Sequence, residues 1–186
     1  VALPLLPAWP AQRLEYFERL RRAILSEDFI APDTRVIGRE AVFRGNWHGL
    51  KVYGVIDRVD QTPDGLVFVD YKTGRKPNGI KDEAGNLTVD IQLPIYLEAA
   101  APVLYPGRPV AGGNYFSITR AEILDEVGSE PVTELAQFAD SVRTRLAQGN
   151  FPVEPDPQQN ACTFCDYTAV CRRGHRLTRK SVSPDR

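Results

Sequence analysis

The residues most able to do chemistry fall in two short segments, Gly54-Val55-Ile56-Asp57-Arg58-Val59-Asp60 and Val67-Phe68-Val69-Asp70-Tyr71-Lys72-Thr73-Gly74. Side chains on a strand alternate in direction, so Asp70 and Lys72, two apart, share a face. A turn between the segments folds Asp57 back to within about one residue of standing opposite Asp70. Two carboxylates and an ammonium then converge on a small area. Two anions in a largely apolar sheet repel and lose hydration, a cost of several kcal/mol per ion unless something neutralises them. A divalent cation does this, and an all-oxygen donor set favours Mg²⁺ or Mn²⁺. The competing reading makes Asp57, Arg58, Asp60, Asp70 and Lys72 ordinary solvent-side residues in local ion pairs, each worth little. What favours the metal site is that Asp70 interrupts the apolar run Leu66–Val69 while a second Asp interrupts the partner strand beside it.

The chain's 3 cysteines, Cys162, Cys165 and Cys171, form a second group. An odd number confined to one stretch points to ligands rather than to disulfide staples. His175 follows Cys171 closely, so a Cys₃His zinc site is one possibility and unligated thiols are another. A metal here would be structural, because the Pro-rich segment from Phe151 has few large apolar residues and a bound ion supplies folding free energy in place of a core. Beyond it, Arg172, Arg173, Arg176, Arg179, Lys180 and Arg186 face only Asp185 in charge. That run is either a phosphate-binding patch or a solvated terminus, and both readings stay open.

The elements that must position these residues follow from periodicity. Leu14, Phe17, Leu20, Ile24 and Leu25 recur at three- and four-residue spacing and mark an amphipathic helix from Ala11 to about Ser26. Strands are expected at 36–43, 50–60 and 66–73, as an antiparallel meander. Its second turn holds Asp64-Gly65, where glycine accepts positive φ without steric cost. Residues 74–86, rich in Gly, Lys, Asp and Asn, read as an exposed loop. A helix follows from Asp90 to Ala101, with Asp90 as its cap and Pro94 in the first turn, where a missing N–H is tolerated. A strand at 110–119 and a helix carrying Leu135, Phe138, Ala139, Val142 and Leu146, ended by Gly149, complete the pattern. The fold class is therefore α/β, or α+β in a stricter vocabulary: a mixed central sheet flanked by helices.

With 186 residues, 42% apolar and 25% charged, the chain suits a single domain over 1–186 with an irregular segment at 151–186. A net charge of −1 gives no whole-molecule bias toward nucleic acid or anionic lipid, so any such partner must meet a local patch. No apolar run approaches the roughly 18 to 20 residues of a membrane span, and the start is too Pro-rich for a signal peptide. The chain reads as soluble and cytoplasmic, with no membrane partner. It has no methionine, even at position 1, which marks it as a piece of a longer polypeptide or a matured product.

From about Glu40 to Cys171 the sequence resembles the PD-(D/E)XK nuclease superfamily, in its branch of RecB- and AddB-like exonuclease domains. Glu40-Ala41-Val42-Phe43 is similar to the family's strand with a leading Glu. Gly54–Asp60 resembles its G-x-x-D-R-x-D, and Val69–Gly74 its D-Y-K-T-G. Gln92-Leu93-Pro94-Ile95-Tyr96 resembles its Q-x-x-x-Y helix motif, whose two polar residues are four apart and share a helix face. The resemblance implies a restriction-endonuclease-like fold and metal-dependent hydrolysis of DNA. It makes Asp57, Asp70 and the Tyr71 carbonyl metal ligands, Lys72 the catalytic lysine, and Gln92 and Tyr96 substrate-positioning residues, with Glu40 and His175 as possible additions. It also implies a helicase domain or subunit as partner, and makes Cys162, Cys165 and Cys171 similar to the last three ligands of a [4Fe–4S] cluster, present in the full-length protein. The departure from the family is a metal-binding His on an upstream helix: His48 and His175 do not match it. That absence supports a rival reading, a non-catalytic DNA-binding or scaffolding module that keeps the nuclease fold.

Overall fold

In the computed structural model, residues 9–74 and 90–150 are described. The contacts divide the chain into two compact units, Val1–Arg143 and Thr144–Arg186. The first holds a five-stranded mixed sheet in the order β1-β2-β3-β4-β5.

β1 (Arg35–Trp47), β2 (Leu50–Thr62) and β3 (Gly65–Lys72) form the expected antiparallel meander. The first two strands run further toward each other than the turn-rich sequence at 44–49 suggests, and the chain reverses at His48-Gly49, both with positive φ. That pairing of left-handed residues is what a two-residue hairpin requires. At the second reversal Thr62 pairs with Gly65, so Pro63-Asp64 are the turn residues and Gly65 opens β3 at φ 140°. Any Cβ there would meet the Pro109 carbonyl oxygen at 2.7 Å, so the glycine serves both the turn and a close backbone approach.

β3 is the centre of the sheet. Its apolar run is buried on both faces, as a strand flanked by helices requires. It pairs in parallel with β4 (Val110–Ser117) through a crossover that is helical: α2 (Gln92–Ile95), a π-helix (Tyr96–Ala100) and α3 (Ala101–Leu104). The expected helix at Asp90–Ala101 is thus present, with a wider turn at its centre. β5 (Glu122–Gly128), not expected from sequence, pairs antiparallel with β4 at the sheet edge. Its Glu122, Asp125 and Glu126 make it a charged edge, and such residues conceal a strand from any search for apolar alternation.

Two cores lie on opposite faces of the sheet. On one, Phe43, Ile56, Val59, Leu66, Phe68 and Tyr115 meet Leu93, Tyr96, Ala100 and Ala101 of the helical crossover. On the other, Val69 and Phe116 meet Ala23, with Phe29 and Tyr71 alongside. Among the described residues of α1 (Trp9–Ile24), Ala23 is the buried one, and it packs into this core. The apolar stripe that marks α1 in the sequence is exposed, with Leu14 at 64% and Phe17 at 62%. A third cluster joins Trp47 at the end of β1 to Ala99 of the π-helix and to Leu135 and Ala139 of α4 (Thr133–Ala147). The architecture is α+β, a mixed sheet with helices, as the sequence implies.

Candidate active site

The β2–β3 ladder ends at Arg58↔Val69, one step short of Asp57 and Asp70. Just past its end, the Tyr71 N–H donates to Asp57 Oδ2 at 2.8 Å, a side chain taking the place of a ladder carbonyl. Ile56 and Val59, three apart, both enter the helix-side core, so β2 changes face between them. Asp57 sits at that change. On β1 the matching irregularity is Glu40, with φ 45°. The register pairs Arg39↔Arg58 and Ala41↔Ile56 put Glu40 level with Asp57, and its side chain is exposed.

Asp70 is the buried member, 4% exposed. Its Oδ2 lies 2.8 Å from Lys72 Nζ, and its Oδ1 accepts a hydrogen bond from Gln92 Nε2 at 2.5 Å. Gln92 in turn accepts from Lys72 Nζ through Oε1 at 2.8 Å, and its Nε2 also donates to the Tyr96 hydroxyl at 2.8 Å. An amide with one acceptor oxygen and two donor hydrogens satisfies all these contacts in one orientation. The Tyr96 O–H points to the Val55 carbonyl at 3.0 Å, with Asp70 Oδ1 further away at 3.4 Å. Asp70, Lys72, Gln92 and Tyr96 therefore form one hydrogen-bonded network built from β3, α2 and the π-helix; Asp57 of β2 stands beside it, held by the Tyr71 amide and near enough for its charge to act on Asp70.

The parallel β3–β4 pairing adds a residue that the sequence does not reveal. Lys72 Nζ stands 4.8 Å from the centre of the Tyr115 ring, a cation–π contact, and the Tyr115 hydroxyl donates to Asp90 Oδ1 at 2.6 Å. The cap position of α2 falls on Ile91, not on Asp90 as expected, because the helix starts at Gln92; Asp90, one residue before the cap, accepts the Gln92 N–H at 3.3 Å and so ties the start of α2 to β4. The signal for Tyr115 lies in a pairing between strands some forty residues apart, which no local pattern reports.

On the opposite face Arg58 holds the same turn from behind. Its guanidinium lies 4.9 Å over Phe29 and 5.5 Å over Tyr71, donates to the Tyr71 hydroxyl at 2.9 Å and to the Phe29 carbonyl at 2.7 Å, and pairs with Asp60 at 3.0 Å. Arg58 Nε and Asp60 Oδ1 are buried with no hydrogen-bond partner among the described residues.

Burial governs the ionisation of these groups. Desolvation raises the Asp70 carboxyl above its ordinary value; the Lys72 hydrogen bond and charge oppose the rise, and the Asp57 charge adds to it. Desolvation likewise raises Asp60, against the pull of Arg58. Tyr96 is pushed up to about 12, mainly by desolvation, and so stays a neutral donor through the physiological range. Tyr115 and Tyr71 move in the same direction for the same leading reason.

The donor set suits a hard divalent cation of the Mg²⁺ type, which takes one or two carboxylates and completes its shell with water and phosphate oxygens. Asp57 and Asp70 are adjacent acceptor groups whose charges oppose each other, and the nearby positive charge is Lys72. Among the described residues there is no group of three or more His, Cys, Asp and Glu side chains placed to hold a metal. Two carboxylates are what this site offers.

Residues 2–172 match the family model of the PD-(D/E)XK nuclease superfamily. The chain belongs to the PD-(D/E)XK nuclease superfamily. The match spans nearly the whole chain and includes every residue of the network above. A comparison with curated proteins finds no match. As a member of a nuclease superfamily that typically uses divalent metals, the chain has DNA as its implied substrate class. Among the described residues no helix is long and apolar enough to cross a membrane.

Cys162, Cys165, Cys171, His175 and the basic residues from Arg172 onward lie outside the described residues. The described histidine, His48, occupies the β1–β2 turn, where its Nε2 is 2.7 Å from Glu98 Oε2 of the π-helix. The same oxygen accepts the Trp47 indole N–H at 2.7 Å. α1 carries no histidine.

Proposed function

We propose that this PD-(D/E)XK protein is a divalent-metal-dependent deoxyribonuclease, hydrolysing phosphodiester bonds with exonuclease-like action, within a RecB- or AddB-like helicase–nuclease or recombination-repair assembly. The observation that carries the reading is the closed triangle of Asp70, Lys72 and Gln92, with Asp57 held beside it by the Tyr71 amide, at the point where the β2–β3 ladder ends. Asp57, Asp70 and the Tyr71 carbonyl would hold Mg²⁺ or Mn²⁺. Bound there, the cation would bind the scissile phosphate and lower the pKa of the attacking water.

The remaining work falls to the chain. Asp57 is fixed by the Tyr71 amide, so its carboxylate is preorganised for ligation. Lys72 is held between Asp70 and Gln92 over the Tyr115 ring, which places a compact positive charge where negative charge builds on the phosphate oxygens. Gln92 and Tyr96 keep Asp70 and Lys72 in register with each other. A scaffolding module is the second reading, favoured by α1's lack of the upstream histidine.

Calorimetric Mn²⁺ titration and oligonucleotide cleavage separate these. Wild type binds Mn²⁺ and cleaves; Asp70→Asn binds it more weakly; Lys72→Ala retains metal binding and loses cleavage, since its charge acts on the transition state. Equal Mn²⁺ affinity in wild type and Asp70→Asn, with undiminished cleavage by Lys72→Ala, ends the nuclease-site reading. Oligonucleotide binding by wild type without any metal-supported cleavage favours the scaffold.

A further inference from the structure

The outer face of the β1–β2 hairpin is uncommonly apolar for a surface next to charged chemistry. Tyr53 is 63% exposed, Val42 56% and Val55 42%. They are cross-strand neighbours by register: Val42 pairs with Val55, Arg44 with Tyr53 and Asn46 with Lys51. Arg44 and Lys51 are exposed too, and among the described residues neither has an ion-pair partner. The Arg44 guanidinium lies over the Tyr53 ring at 5.1 Å. The inward side chains of the same stretch are occupied in the core: Phe43 and Ile56 are buried, and the Phe43 ring closes over Gly54. Among the described residues, Tyr53 belongs to none of the three cores. The strip ends at Asp57, where β2 changes face. At a strand's rise, Tyr53 is about 13 Å from that residue.

We propose that this strip is a binding track for a nucleic-acid strand with unpaired bases, with Tyr53 as a stacking platform and Arg44 and Lys51 as phosphate contacts. It rests on the nuclease reading for its ligand class and deepens it by naming a surface that holds substrate outside the Asp57–Asp70 site. The chemistry matches what unpaired strands require. An exposed ring offers a π-face that any base can stack on, and unpaired cations beside it follow the backbone. A guanidinium already lying over the ring keeps one face partly covered and can stay stacked while it binds phosphate. A protein partner would also cover apolar surface, but two cations with no ion-pair partner among the described residues fit a polyanion better.

The test uses fluorescein-labelled oligo(dT), with Ca²⁺ replacing Mg²⁺ to prevent cleavage, and an abasic oligonucleotide of equal length. Tyr53→Ala should lose at least about fivefold in affinity for oligo(dT) and change little on the abasic strand, while Tyr53→Phe behaves as wild type. Replacing Arg44 or Lys51 by Ala should make the log–log salt dependence shallower by about 0.7 for each cation removed. The track is overturned if wild type does not bind oligo(dT), if Tyr53→Ala binds it as wild type does, or if Tyr53→Ala weakens both oligonucleotides equally. It is also overturned if Tyr53→Ala dissociates a wild-type dimer in light scattering while DNA affinity stays unchanged, since the strip is then a contact between copies. The two readings fail separately. Retained metal-supported cleavage with unchanged oligo(dT) affinity in Tyr53→Ala removes the track alone; absent cleavage by wild type with the expected affinity loss removes the nuclease reading alone.

Discussion

Asp70 shows what a functional carboxylate does to the fold that carries it. It is buried, and desolvation holds its folded-state pKa above the ordinary carboxylate value. A raised carboxyl pKa means that the folded state binds the proton more tightly than the unfolded chain. Stability therefore falls as pH rises from the unfolded value through the folded one, and the penalty is complete once the pH is above the folded value. Asp70→Asn removes that penalty and keeps one acceptor oxygen, which serves Lys72 or Gln92 but not both. In chelator near neutral pH, Asp70→Asn should melt at or above the wild-type temperature, and the difference should shrink on acidification toward the ordinary carboxylate range. Adding Mn²⁺ should reverse the order, because ligand binding to the native state stabilises wild type more. Thermal scans across pH, with and without Mn²⁺, check this. A variant that melts well below wild type in chelator at neutral pH would show that the carboxylate serves the fold rather than the metal.

At the scale of elements, what was legible in the sequence was local. The Asp70–Lys72 spacing, the turn at residues 61–65 and the Gln92–Tyr96 helix pair each follow from a period, and the structure contains each of them. The break in alternation at Asp57 was hidden, because β2 changes face where the period-two rule assumes a regular strand. The stripe on α1 misled for a different reason: periodicity identifies a helix but cannot say which of its faces is covered. Arg58 illustrates the same limit. Read along the chain it is a charge between two aspartates; in the fold it lies against Phe29 and Tyr71 and pairs with buried Asp60 on the rear of the site. Arg58→Met should cost about 3–5 kcal/mol in urea unfolding near neutral pH, since it strands the Asp60 charge. Combining it with Asp60→Leu should recover most of that loss, and the single variant's deficit should shrink at acid pH, where Asp60 takes up a proton. Additive losses in the double variant would show that packing of the guanidinium, not the ion pair, is what the rear face needs.

At the scale of the whole molecule, the sheet and its crossover account for the Asp57–Asp70 site, and the cysteines pose a separate question of ligand chemistry. Cys162, Cys165 and Cys171 follow a segment with few large apolar residues, where a bound metal can supply the folding free energy that burial does not. Ligand arithmetic separates the candidates. A [4Fe–4S] cluster takes four thiolates and this chain has 3 cysteines, so the chain alone cannot complete that shell with thiolate. Zinc accepts three thiolates and an imidazole, and His175 stands close after Cys171. Our proposal is that a cluster forms in a longer polypeptide that supplies the fourth thiolate. The expected outcome is iron and a visible absorption band in that polypeptide purified without oxygen, both lost in Cys165→Ser, and neither in the present chain prepared the same way. Because the Asp57–Asp70 network contains no cysteine, Mn²⁺ affinity at the site should survive Cys165→Ser to the extent that the sheet stays folded, which far-UV circular dichroism reports. One zinc per chain and no iron in the longer polypeptide would assign the thiolates to a Cys₃His site, and His175→Ala should then release the zinc.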